Sequence, residues 1–183
     1  MDQRRMILSR KLRLVCLLCL LACTVGCDQA SKHMARTGLS QVGSIALPGG
    51  FGELRLADNS GSFLSLGALL PKRARFAIFT VGTGAGLAAL FAYLASRAPI
   101  PMMRFIGLSL AMAGGVSNLL DRMFRHGLVT DFVTVRIGPF HTGVFNAADV
   151  LIMAGIATVF WSIRKKTASS SPTSGYTEPR DDA

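Results

Sequence analysis

The sequence predicts an all-α membrane protein with four transmembrane helices and a small extracytoplasmic β-sheet between helices 1 and 2. Three observations carry this reading. Half of the 183 residues are apolar and only 16% are charged, against about 25% charged in an ordinary soluble domain. The apolar residues gather in four uncharged or nearly uncharged runs. The net charge of +10, from 20 Lys and Arg against 10 Asp and Glu, sits mostly at the ends of those runs, where cations meet lipid head groups. A nucleic-acid binder would carry such charge along one polar face, so no nucleic-acid partner is expected.

The first run, Leu14–Cys27, lies between Arg13 and Asp28. It is the shortest and is close to the length of a signal-peptide core. The second, Phe76–Ala95, reaches the roughly 20 residues that a bilayer-spanning helix needs. The third, Phe105–Leu120, is slightly short and borrows Met102 and Met103, with Arg104 reaching back to the head groups. The fourth, Val144–Ile163, is interrupted only by Asp149 and ends at Arg164-Lys165-Lys166. Arg4, Arg5, Arg10, Lys11 and Arg13 precede the first run, so both termini are expected in the cytoplasm. The connections Asp28–Arg75 and Asp121–Gly143 then lie outside. Lys72, Arg73 and Arg75 run against this rule. Within Gly43–Leu70, short apolar pieces alternate with Gly, Pro and Asn, the pattern of strands and turns. Residues 1–166 form one membrane domain, and the Ser/Thr/Pro-rich remainder, 167–183, reads as a disordered cytoplasmic tail.

Cys16, Cys19, Cys23 and Cys27 share a helix stripe. They read as small apolar side chains in a membrane helix, because no set of His or carboxylate neighbours supports a metal cage. His33, His126 and His141 are too widely spaced for a ligand set. No metal and no cofactor is expected. A basic start, an apolar core and then Cys23 or Cys27 also fit a lipoprotein's own signal peptide, which is one competing reading.

Ionisable residues inside spans are costly, about 2.5–3.5 kcal/mol at mid-helix, so each needs a partner or a task. Asp28 and Lys32 are four apart, acid first, and read as an ion pair on one helix face. Asp121 and Arg122 read as a second neutralised pair. Asn118 shares a helix face with Arg122, and Asn146 shares one with Asp149. Asp131, in "GLVTDFV", and Asp149 have no adjacent cation, and both sit in apolar surroundings near the outer face. Two such carboxylates, if brought together, have their pKa values driven apart by burial and mutual repulsion. One then holds a proton while the other activates water. Intramembrane acids also mark ion paths, so a proton or ion transporter is the second rival. It predicts polar residues through the full membrane depth, whereas these acids cluster at one end.

Taken in order, the segments resemble the bacterial lipoprotein signal peptidases (signal peptidase II). The resemblance rests on "DQASK" at Asp28–Lys32, "NSGSFLS" at Asn59–Ser65, "GGVSNLLDR" at Gly114–Arg122, "VTDF" at Val129–Phe132 and "FNAAD" at Phe145–Asp149. Here Ser117 stands where the family usually has Gly, and Asp58 puts an acid beside Asn59. The resemblance implies an aspartyl endopeptidase of the bacterial inner membrane with its active site near the outer face. Asp131 and Asp149 would be the catalytic pair. Asn59, Asn118, Arg122 and Asn146 would bind substrate or orient the pair. Asp28, Lys32, Asp121 and the close-packing Gly114 would support them. The implied substrates are diacylglyceryl-modified prolipoproteins, cut just before the lipidated Cys. The implied surroundings are membrane lipid. The oligomeric state is left open.

Overall fold

The computed structural model describes residues 8–60 and 70–168. The extreme N-terminal basic residues, the second half of the Asn59–Ser65 motif and the expected tail 169–183 lie outside the described residues. Among the described residues, four helices are long and apolar enough to cross a membrane. They are α1 (Arg10–Val42), α2 (Lys72–Ala95), α3 (Met102–Phe124) and α4 (Ala147–Ala168). Strands β1 (Ser44–Ala46), β2 (Gly52–Asn59), β3 (Val129–Ile137) and β4 (Phe140–His141) make a four-stranded antiparallel sheet in that order.

Two expectations change. The connection expected from Asp28 begins later, because the first helix continues unbroken through Asp28, Lys32 and Arg36 to Val42. At 1.5 Å per residue, its 33 residues reach about 50 Å, well beyond a hydrocarbon core of about 30 Å. Hydropathy marked where the apolar part ends, not where the helix ends. Second, only β1 and β2 come from the connection between helices 1 and 2. Strands β3 and β4 come from the connection after α3. Pairing of β2 with β3 joins these two connections, with Ala57 opposite Asp131 and Asn59 opposite Val129.

Helix α3 packs against the other three helices and buries its Gly107, Met112, Gly114, Ser117, Asn118 and Asp121 face. The other helices present large apolar side chains outward, among them Leu18, Val81, Ile156 and Phe160. So much exposed apolar surface is what lipid-facing helices carry. At the far end from the sheet, Arg13 is buried. Its guanidinium donates to Ala98 O at 2.8 Å and Ser96 O at 2.5 Å, and Arg10 Nε donates to Ala95 O at 2.8 Å. The start of α1 thereby satisfies carbonyls that the end of α2 leaves free.

Helices α3 and α4 meet through glycines. A Cβ on Gly114 would lie 2.3 Å from Ala148 O, and one on Gly155 would lie 2.5 Å from Gly107 O. These are backbone contacts that cannot swing aside. Gly114→Ala is expected to cost 1–3 kcal/mol, about the penalty of an overpacked core. Gly86→Ala, where a Cβ meets nothing within 4 Å, is the control. Thermal unfolding in detergent checks this, and an unchanged Gly114→Ala melting temperature would contradict the tight α3–α4 contact.

Candidate active site

The end of α3, the start of α4, the middle of α1 and strands β2 and β3 converge on a cluster of buried polar side chains. The cluster is built from the start of α4. Asn146 precedes the helix, and Asp149 stands in its first turn. Asn146 N–H donates to Asp149 Oδ2 at 3.1 Å, and Asp149 N–H donates back to Asn146 Oδ1 at 3.1 Å. This is a reciprocal capping box, with Asn and Asp in the roles that Ser and Glu usually fill. It fixes both side chains to the backbone. The free Asn146 amide then reaches across, with Nδ2 donating to Asp131 Oδ1 at 2.6 Å. Asn146, fully buried, therefore ties the two aspartates together.

Each carboxylate has a second donor. Asp149 Oδ1 accepts from Asn118 Nδ2 at 2.9 Å, and Asp131 Oδ2 accepts from Asn59 Nδ2 at 2.9 Å. Pairing of β2 with β3 brings Asn59 there, two residues along its strand from the partner of Asp131. Asp131 is 2% exposed, so water cannot screen its charge. Burial is the main reason that its carboxyl is pushed up to about 6. The Asn59 and Asn146 hydrogen bonds pull it down, and the Asp149 charge pushes it further up.

Beneath the aspartates lies a second layer centred on Lys32, which is fully buried. Its Nζ lies 2.7 Å from Asp28 Oδ2 and 3.1 Å from Asp121 Oδ2, and donates to Asn118 Oδ1 at 2.8 Å. Asn118 is thus held by a cation on one side and turned toward Asp149 on the other. Asp28 Oδ1 accepts from Ala148 N–H at 2.8 Å, a further cap on the start of α4. Asp121 Oδ2 accepts from Thr130 N–H at 3.0 Å, which fixes the residue before Asp131. The expected Asp28–Lys32 pair is present, but the expected Asp121–Arg122 pair is not among the ion pairs of the described residues. Neighbouring residues on a helix point about a quarter-turn apart and do not face each other, so Asp121 turns inward to Lys32. Arg122 is instead directed so that its charge acts on Asp149, Asp131 and Asp121. Its Nε is buried without a hydrogen-bond partner among the described residues.

Five contributors, Ser117, Gln29, Thr130, Arg36 and Arg125, were missed in the sequence. Ser117 donates to Asp28 Oδ2 at 2.6 Å. Gln29 Nε2 donates to Ser117 Oγ at 2.9 Å and Asp121 Oδ1 at 3.2 Å. The hydroxyl at position 117 thus has a task that a glycine there would leave to another group. Thr130, fully buried, accepts at its hydroxyl from Arg36 and Arg125. Arg36 stands one turn beyond Lys32, a spacing that gave the only available signal. Asp58 is neutralised by Arg125 at 3.0 Å, so the acid beside Asn59 is accommodated. The turn between Arg122 and Asp131 uses His126 (φ 54°) and Gly127 (φ 87°) in left-handed conformations. That conformation is rare for a residue with a Cβ.

The fold holds two aspartates at one end of a bundle of helices long and apolar enough to cross a membrane. The family model described as signal peptidase (SPase) II matches residues 20–165. Curated relatives called lipoprotein signal peptidase include one from Moorella thermoacetica, 34% identical over 74% of this chain and 84% of its own. Another, from Pelotomaculum thermopropionicum, is 35% identical over 79% of this chain and 88% of its own. A solved bacterial membrane enzyme superposes with a TM-score of 0.70 at 23% identity, covering 81% of this chain and 92% of that one. The chain belongs to the signal peptidase II family, and so is a peptidase.

Proposed function

We propose that the protein is an aspartyl endopeptidase of the bacterial inner membrane. It removes signal peptides from diacylglyceryl-modified prolipoproteins, cutting just before the lipidated Cys. The observation that carries this is the pair of carboxylates, Asp131 and Asp149, bridged by Asn146 at the outer end of the bundle. Family membership supports the substrate class. The basic start of α1 (Arg10, Lys11, Arg13) and the basic end of α4 (Arg164, Lys165) support cytoplasmic termini. The aspartates then lie near the outer face.

In the mechanism this supports, Asp131 is the carboxyl that holds the proton in the reactive form, its hold on a proton strengthened by burial. Asp149 sits at a helix N-terminus among N–H donors, a setting that suits a negative charge. It takes a proton from water, whose oxygen attacks the scissile carbonyl carbon. The Asp131 proton stabilises the developing oxyanion, and a proton then passes to the leaving amine as the C–N bond breaks. Asn118, Asn146 and Asn59 keep the two groups in register, and Arg122 is the planar donor placed to hold a substrate carbonyl. Membranes containing the protein should shorten a lipidated prolipoprotein and leave its unlipidated form intact. Equal cleavage of both forms would remove the lipid from the substrate definition.

The raised Asp131 carboxyl also predicts a pH dependence of folding. Its proton is held more tightly in the folded protein than in the unfolded one. The stability it contributes is therefore full below an unfolded pKa near 4 and is lost as pH rises through about 6. Asn cannot titrate. Between pH 4 and 7 the stability of the wild type should therefore fall relative to Asp131→Asn, by on the order of 2–3 kcal/mol at about 1.4 kcal/mol per unit. Parallel melting curves check this, and a pH-independent difference would contradict the raised value.

A further inference from the structure

The peptidase reading gives no task to Lys72, Arg73 and Arg75, which open α2 on the outer side, where cations are ordinarily sparse. A cavity of about 490 Å³ lies between them and the end of α3, lined by Lys72, Arg73, Phe76, Arg122, Met123 and His126 among others. A second, of about 360 Å³, shares Lys72, Phe76 and His126 and adds Arg75 and Thr80. Thr80 is 7% exposed, and its hydroxyl has no hydrogen-bond partner among the described residues. It sits in a stretch of α2, Ala77–Gly82, wound as a π-helix, a departure often found at functional positions.

The acids on this face are already engaged. Asp58 pairs with Arg125, Asp121 with Lys32, and Asp131 and Asp149 with their asparagines. Among the described residues, no carboxylate stands within ion-pair distance of Lys72, Arg73, Arg75 or Arg122. The cleft is thus cationic at its polar end, where Lys72, Arg73 and Arg75 have no acid partner among the described residues, while Phe76 and Met123, both more than half exposed, continue it as apolar surface. A diacylglyceryl group and the peptide bond beside it are uncharged, so the substrate's reacting end does not call for these cations.

We propose that this cleft holds the phosphate of an anionic phospholipid of the outer leaflet, with Lys72 and Arg73 on the phosphate and the acyl chains along Phe76 and Met123. The proposal rests on the outer-face placement given under the proposed function, but its first readout does not depend on peptidase activity. Full-length protein is placed in nanodiscs of phosphatidylcholine containing phosphatidylglycerol, and the association of each spin-labelled lipid is measured. Wild type should prefer phosphatidylglycerol, and Lys72→Gln/Arg73→Gln should lose that preference, by about five-fold for each cation removed. Wild-type turnover of a lipidated prolipoprotein should also rise on adding phosphatidylglycerol, and the variant's should not. Equal association of both lipids with wild type, or an unchanged preference in the variant, would overturn the proposal. Inorganic phosphate reproducing the stimulation in pure phosphatidylcholine would replace the lipid with a free anion. A variant that kept its lipid preference but lost selectivity for Asp over Asn just after the substrate Cys would place an acidic peptide there instead.

Discussion

Asp149→Asn and Asp131→Asn are each expected to lower turnover of a lipidated prolipoprotein by at least about a thousand-fold, with membrane insertion intact. A positioned acid or base contributes about 10²–10⁴ in rate, and groups acting as one unit lose most of their effect when either is removed. Asn keeps the volume and one acceptor at each position. The capping-box bond from Asn146 N–H to position 149 therefore survives, and α4 retains its start. The asparagine bridge from Asn146 to position 131 can also persist. What is lost is the capacity to take or give a proton. Turnover within ten-fold of wild type in either variant would remove that aspartate from the chemistry.

The second large effect is structural. Lys32→Met is expected to destabilise the protein by about 3–5 kcal/mol or more, the penalty of leaving a buried charge without its partner. Lys32 is fully buried against two carboxylates, so its loss leaves Asp28 and Asp121 facing each other in a buried site where their repulsion is poorly screened. Stability totals of about 5–15 kcal/mol make this a large share. Lys32→Met/Asp121→Asn restores the original charge balance and should be more stable than Lys32→Met alone, a coupling expected of residues in one network. Melting temperatures of the three variants, read beside activity, separate a support role from a catalytic one. If Lys32→Met melted like the wild type, the buried ion cluster would not be what holds α1 to the end of α3 and the start of α4.

Much of this site was readable in the sequence because its residues break a rule. Asp131 and Asp149 stood out as acids in apolar segments without a neighbouring cation, and Asp28 and Lys32 as a pair at helical spacing. The partner of Asp121 was not readable, because it is chosen by which face of α3 meets α1, and adjacency to Arg122 pointed the wrong way. The continuation of α1 to Val42 was hidden by the polar composition of its second half. That half is held by packing against α3 and the sheet rather than by lipid. Strand β3 carries an evident β-branched pattern, "VTDFVTV". Its pairing with β2, which brings the Asn59 side chain to Asp131 across 72 residues of chain, is a long-range choice that no local pattern specifies. Ser117 and Gln29 were invisible as site residues because each acts only through a contact nearly 90 residues distant.

The measurement that bears most directly on the proposed activity is the mass of both products. Purified protein in detergent is mixed with a diacylglyceryl-modified prolipoprotein, and the fragments are read by intact mass spectrometry, with Asp149→Asn in parallel. The account predicts two fragments from the wild type. One is a signal peptide ending in a free carboxylate, and the other is a mature chain that begins at the lipidated Cys. It predicts uncut substrate from the variant. Cleavage at another bond, or the same two fragments at comparable rates from Asp149→Asn, would contradict it.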